Sequence, residues 1–455
     1  MKGGETAESE PARGELRRAK DRRFSRRDFL KMGGVGLAGA TLLGGTACGG
    51  SRGGGPVELT FWSWVPHIET EVKLFEKSHP NIKIKYVNAG QGPDEYTKLR
   101  TALKSGEGAP DVVQIEFQYL RTFQQIDALV DISEHGANKV KDDFAPWTWG
   151  QVSEGSKVYA IPQDSGPMGL LYRKDVFDKH SIKVPETWEQ FAQEAVKLHE
   201  ADPNVYMTDF LHNDGGWFTG LLWQAGSRPF KVDGTSLTIN INDSPAMKVA
   251  KYWQDLIDTG AVDTKPDFTS EWYSGLERGR YATWISAAWG PVFLTGVAKK
   301  SAGKWRAAPL PQWSPGAQVS ANWGGSTSAV TNQSKYPAEA TEFAVWLNHN
   351  SKSAKMLADK SFLFPTLQSL LNSSDFQNKP YSFYGGQEVN KVFIESSGQV
   401  DLGFEWSPFQ DYVYSQMTDQ LGAASKGEIS LMQALDNLQK KVVGYAKSQG
   451  FKVKE

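Results

Sequence analysis

The sequence predicts an α/β protein of two domains, and three observations point there. Its 455 residues exceed the roughly 250–300 at which a single hydrophobic core stops growing and chains divide. From residue 57 onward, alternating apolar runs follow one another with helical ones, the pattern that lays helices against a largely parallel sheet. The composition, 39% apolar and 22% charged, is that of an ordinary globular chain.

The elements follow in order. Val57–Trp62 alternates as a strand. Residues 69–78 (ETEVKLFEKS) space their apolar side chains helically and run out at His79-Pro80, because the residue before proline is pushed out of the helical region. Residues 82–87 (IKIKYV) alternate strictly and form a second strand. A second helix over residues 95–105 is closed by Gly106, and residues 110–115 are a short apolar run of the kind buried in parallel sheets. Such a lobe binds ligands at the carboxyl ends of its strands. Farther on, residues 157–162 and 169–172 are predicted strands, and Thr187 caps a helix over residues 189–199. Residues 217–225 make another helix, residues 237–241 a strand after the Asp233-Gly234 turn, and residues 246–259 a helix stopped by Gly260. Residues 281–286 and 305–309 are strands. Residues 338–348, 352–360, 407–423 and 430–448 are helices.

The formal charge of −2 gives no nucleic-acid footprint. Residues 1–47 carry ten Lys/Arg against six Asp/Glu, which leaves 40 against 46 in the remainder, a net of −6. The basic excess is therefore N-terminal. Ser25-Arg26-Arg27-Asp28-Phe29-Leu30-Lys31 precedes an uncharged stretch from Met32 to Ala47, the layout of a secretory signal. That stretch, about sixteen residues and Gly-rich, is too short and too weakly apolar for a membrane span. The arginine pair resembles a twin-arginine export signal, and Thr46-Ala47-Cys48 resembles a lipoprotein cleavage site with Cys48 as the acylated residue. Residues 48–56 then form a lipidated tether rich in glycine. Cys48 is the only cysteine, so neither an internal disulfide nor a cysteine zinc site is available. The G-x-G-x-x-G of residues 34–39 follows no strand and is no nucleotide fingerprint.

Landmarks in fixed order resemble the extracellular solute-binding proteins of ABC importers, in particular the maltose-binding-like family. They are Phe61-Trp62-Ser63-Trp64, Gly108-Ala109-Pro110-Asp111, Val158-Tyr159-Ala160-Ile161-Pro162 with Leu171-Tyr172-Arg173-Lys174-Asp175, Val184-Pro185-Glu186-Thr187-Trp188, Gly279-Arg280-Tyr281-Ala282-Thr283-Trp284 and Gly324-Gly325-Ser326. Arg173 departs from the Asn usual in the family, a change expected to affect local packing. The resemblance implies a two-lobed periplasmic-binding-protein-like (Venus flytrap) α/β fold, with hinge strands between discontinuous lobes. One lobe is expected over residues 57–163 and 327–372, the other over 164–326 and 373–455, with crossings near Gln163, Ser326 and Leu371. It further implies a carbohydrate ligand, an ABC permease as partner, a monomer on the outer face of the membrane, and no cofactor.

A sugar offers C–H faces to flat rings and hydroxyls to carboxylates and amides. Of the 16 tryptophans, those on connecting segments are the candidates. The resemblance places a stacking aromatic at Trp289 and another at Trp217. Trp323 and Gly324 lie at a crossing, Trp64 follows the first strand, and Trp272 and Trp406 precede helices. Each has core packing as its alternative; Trp62, Trp188, Trp253 and Trp346 are assigned to cores. Among polar groups, Gln163 and Asp164 sit at the first crossing, and Glu116 and Gln118 follow a strand at its ligand-facing end.

Beyond the tether the chain holds no G-x-S-x-G, H-E-x-x-H or P-loop, and its seven histidines are scattered, so neither an enzyme nor a metal centre is expected. The same fold with a polyamine, anion or phosphodiester ligand is the alternative. Anions call for basic residues at helix N-termini, ferric ion calls for a tyrosine pair that is missing here, and loop tryptophans with Asp, Glu and Gln favour neutral polyols.

Overall fold

The computed structural model describes residues 56–454, residue 235 excepted. The expected export signal, Cys48 and most of the tether lie outside the described residues. One lobe is built on a five-stranded sheet in the order Ile82–Val87, Val57–Trp62, Val112–Glu116, Ser326–Val330, Ala160–Pro162. The first three strands are parallel, in register from Val57 opposite Ile82 and with Phe61 opposite Val112. Ser326–Val330 returns antiparallel between Val112–Glu116 and Ala160–Pro162. The strict alternation of residues 82–87 marks an edge strand with one solvated face. Residues 112–115, apolar except for the hydrogen-bonded Gln114, are buried on both faces. Phe61 from the sheet, Phe75 from the helix Glu69–Ser78 and Phe343 from the helix Pro337–His349 meet edge to face, with centroids 5.0–5.1 Å apart, and knit that core.

The other lobe centres on Met168–Arg173, flanked antiparallel by Thr283–Ala287 and Trp305–Ala308. Thr187 caps the helix Trp188–Ala201 as its sequence predicts, in a reciprocal capping box with Gln190. The C-terminal helices Gln410–Ser425 and Leu431–Ser448 pack on each other and on the helices Gly215–Gln224 and Ser244–Asp258. Arg173 is a packing residue here. Its guanidinium pairs with Asp175, donates to the carbonyls of Leu276 and Glu277, and lies over the Trp305 ring. Trp272, expected in a loop, falls inside the helix Ser270–Arg278. Thr269 accepts its backbone N–H at 3.2 Å and Gly279 closes the helix with φ 84; both cap signals are in the sequence.

The chain passes between the lobes along two antiparallel segments. Gln163 N–H donates to Ser326 O, and Trp323 N–H donates to Gly166 O. The Asp164 carboxylate accepts the Ser326 N–H at 2.9 Å, and Asn322 Oδ1 accepts the Gly166 N–H at 2.8 Å. A Cβ on Gly166 would lie 1.9 Å from Trp323 O, so only glycine permits this approach. A third segment joins where Ser165 N–H donates to Phe364 O and Asp164 bridges Pro365.

Candidate functional site

Between the lobes lies a cavity of about 650 Å³, within the range that holds small ligands. Glu116, Gln118 and Tyr119 line it from the first lobe. Asn213, Asp214, Gly215 and Gly216 line it from the second, with Trp323, Gly324 and Trp406 between them. The helix Gln410–Ser425 adds Asp411, Tyr414, Ser415, Thr418 and Asp419, all on one face.

Local structure explains each position. Glu116 ends a central strand, and the helix Phe117–Gln124 starts at the next residue, so Gln118 and Tyr119 stand on the first turn at the carboxyl end of the sheet. Tyr96 OH donates to Glu116 Oε2 at 3.0 Å and accepts the Glu116 N–H at the same distance. Asp214 caps the helix Gly215–Gln224, accepting the Trp217 N–H at 2.8 Å, and the Trp323 indole also donates to it. Trp289 Nε1 donates to Trp323 O at 3.0 Å, and the two indoles meet edge to face 4.7 Å apart.

The cleft is acidic, and its carboxylates are crowded. Burial, opposed by hydrogen bonds from Tyr96 and Gln118 and reinforced by Asp164 and Asp214, pushes Glu116 up to about 7. Burial raises Asp164 to about 6, and raises Asp214. Behind Asn213, burial and the neighbouring Asp214 push Asp267 up to about 7, and neither of its carboxylate oxygens has a protein partner. Gln118 Oε1 and Trp406 Nε1 are likewise buried without one. Orphaned buried polar atoms cost about 1–3 kcal/mol each, and hydroxyl-rich ligands carry the matching donors and acceptors. Among the described residues no group of three or more His, Cys, Asp or Glu side chains is placed to hold a metal ion.

The structure brings Glu116, Gln118, Trp323, Gly324 and Trp406 together around the cavity. Asp164 stands behind them as a hinge carboxylate. Trp289 is partly exposed beside Trp323. Trp64 is half-buried, edge-on to Tyr96 at 6.1 Å. Three candidates lie elsewhere. Trp217 is fully buried between Phe210 and Trp253 in the second lobe, because the helix it opens turns inward as soon as its cap residue has faced the cleft. Trp272 is buried against Trp284, its indole bonded to Asp209. Gln163 borders a separate small cavity with Asn348 and Thr366.

Asp214 and the stripe on helix Gln410–Ser425 escaped the sequence reading. An Asp before Gly-Gly is a cap signal, and the spacing of Asp411, Tyr414, Ser415, Thr418 and Asp419 follows the helical period. Across the cleft mouth, Arg100 of the first lobe pairs with Asp411 of the second, and Tyr119 meets Tyr414 edge to face at 6.2 Å.

Comparison with known proteins agrees with this architecture. The model of the family "Bacterial extracellular solute-binding protein" matches residues 63–351. The chain is similar to a lactose-binding protein of Rhizobium radiobacter, with 28% identity over 81% of this chain and 89% of that one. It is also similar to an arabinooligosaccharide-binding protein of Halalkalibacterium halodurans, with 25% identity over 76% and 80% of the respective chains. Among solved structures, the ABC transporter associated binding protein from B. animalis subsp. lactis Bl-04, in complex with β-1,6-galactobiose, has 31% identity. Its TM-score is 0.76, over 88% of this chain and all of that one. The galacto-N-biose/lacto-N-biose I-binding protein of Bifidobacterium longum, in complex with lacto-N-biose, has 27% identity and a TM-score of 0.78, over 89% and 100%. The two-lobed fold, the cleft at its hinge and a family match over residues 63–351 lead to one conclusion: this protein belongs to the bacterial extracellular solute-binding proteins.

Proposed function

We propose that the protein captures an oligosaccharide in the interlobe cleft and delivers it to the transmembrane subunits of an ABC importer. One observation carries this reading: hydroxyl-gripping groups from both lobes, Glu116 and Gln118 on one and Asp214 and Asp419 on the other, surround the indoles of Trp323 and Trp406. The relatives bind lactose, arabino-oligosaccharides, galactobiose and lacto-N-biose, which supports sugars of two or more units. Trp289 and Trp64 extend the aromatic surface. A ligand touching both lobes favours the closed form, because only that form makes both sets of contacts. The closed form is the one handed over. The role is binding without turnover, by a monomer exported through the twin-arginine route and held at the outer face of the membrane by a lipid on Cys48.

A second reading has one observation in its favour. The residues lining the cleft include Glu116, Asp214, Asp411 and Asp419 but no Lys or Arg, which would also suit a polyamine. Thermal-shift and Trp-fluorescence titrations of residues 49–455 against di- and oligosaccharides, monosaccharides, polyamines and anions separate the two. A response to one oligosaccharide class supports the proposal. A response only to polyamines or anions sinks the sugar assignment and leaves the solute-binding role standing.

A further inference from the structure

A second chamber of about 310 Å³ opens between the lobes, and Trp406 borders both it and the larger cavity. Arg121, Gln151 and Glu154 line it from the first lobe, and Phe404, Glu405 and Trp406 from the second. One helix, Phe117–Gln124, serves both spaces: Gln118 and Tyr119 border the larger, Phe117 and Arg121 the smaller. The lobes touch here as well. Gln151 Nε2 donates to Phe404 O at 3.1 Å, and Arg121 lies 3.5 Å from Glu405. Gln151 Oε1 and the Trp406 indole N–H are left without protein partners.

We infer that the two chambers are consecutive stretches of one groove, and that an oligosaccharide of three or more units runs from the cleft past Trp406 into the smaller chamber. The inference rests on the carbohydrate reading above. Its chemistry repeats that of the cleft. Phe404 and Trp406 supply ring surface, while Arg121, Glu154 and Gln151 supply the charge-assisted and amide hydrogen bonds that hydroxyls need. The sizes agree with the order proposed, since the smaller space stands near the lower limit of about 300 Å³ for a small-molecule pocket. A disaccharide is held by the cleft alone, and the length of the chain is read beyond Trp406.

Gly150 gives a clean way to close the chamber. It lines the space, a Cβ there would meet nothing within 4 Å, and its φ is not positive. Gly150→Phe adds a ring at the wall of the chamber, and Gly150→Ala is the control that leaves the space open. Isothermal titration of the mature chain would use galacto-, arabino- and malto-oligosaccharides of two to five units. In the series that binds, wild type is expected to gain about tenfold in affinity between two units and three or more, the scale of one or two good contacts. Gly150→Phe should lose that gain and keep disaccharide affinity within about twofold; Gly150→Ala should behave as wild type. Arg121→Gln, with melting temperature measured alongside, gives the same length-selective loss if Gly150→Phe does not fold. Affinity independent of length, or a Gly150→Phe loss equal at every length, overturns the inference and leaves the sugar reading intact. Binding to none of the three series overturns both.

Discussion

Glu116 offers the sharpest test of how the cleft binds. Its carboxylate is held near pKa 7 by burial and by the charges of Asp164 and Asp214, and Tyr96 OH already satisfies one oxygen at 3.0 Å. Glu116→Gln keeps the shape and removes the charge. A hydrogen bond to a charged group contributes about 1.5–3 kcal/mol and a neutral one about 0.5–1.5. The difference of roughly 1–1.5 kcal/mol is about tenfold in Kd. The wild-type carboxylate is ionised above about pH 7 and protonated below it, so sugar affinity should weaken as pH falls from 9 to 5, with a component centred near 7. Glu116→Gln should lack that component and match wild type at pH 5. Stability runs the other way. The raised pKa means that the folded state holds its proton more tightly than the unfolded one, so the contribution is full below the unfolded value of 4.5 and is lost as pH rises to about 7. The ligand-free variant should therefore unfold at a higher temperature than wild type above pH 7. Titration calorimetry and thermal melts at pH 5, 7 and 9 read both effects. Identical pH profiles of affinity in the two proteins would refute the assignment of Glu116 to the ligand.

Four further outcomes are expected. Trp289→Ala should weaken sugar binding by about ten- to a hundredfold, the loss of one stacked ring and its desolvation. Trp217→Ala should instead cost about 3–5 kcal/mol of stability, as for other buried aromatics, with little change in affinity at temperatures where it remains folded; equal effects of the two on affinity would contradict their placement. Glu95 is fully buried, with no protein partner for either carboxylate oxygen, and burial raises it to about 8. Its contribution to stability is present below about 4.5 and is lost as pH rises through 8, so Glu95→Gln should flatten the pH dependence of the melting temperature over that window. Arg100→Ala removes the interlobe pair with Asp411 and should open the lobes in scattering profiles of the free protein, weakening sugar affinity by about two- to fivefold, as expected of a partly exposed ion pair. An unchanged profile and affinity would mean that the pair follows closure and does not favour it.

Much of the scaffold could be read from the chain alone. The strands over residues 57–62 and 82–87 and the helix over residues 69–78 announce themselves by period, and Thr187 and Gly106 by the capping chemistry of their residue types. These are local properties, set by backbone sterics and by side chains within a turn of one another. The position of Glu116 at the carboxyl end of a central strand follows from the same logic, since the α/β order dictates where ligands enter. The division of the tryptophans does not. Trp217 and Trp289 both stand at the start of a helix beside glycine, and nothing local distinguishes them. Trp217 is covered by Phe210 and Trp253, the latter 36 residues away (253 − 217), while Trp289 leans on the crossing at Gly166, Trp323 and Gly324 and stays partly exposed. Asp411 and Asp419 likewise become cleft residues only because the C-terminal helix returns across the hinge to face Tyr119. Burial is decided by which distant segments pack over a side chain, and that is settled by the closing of the whole fold.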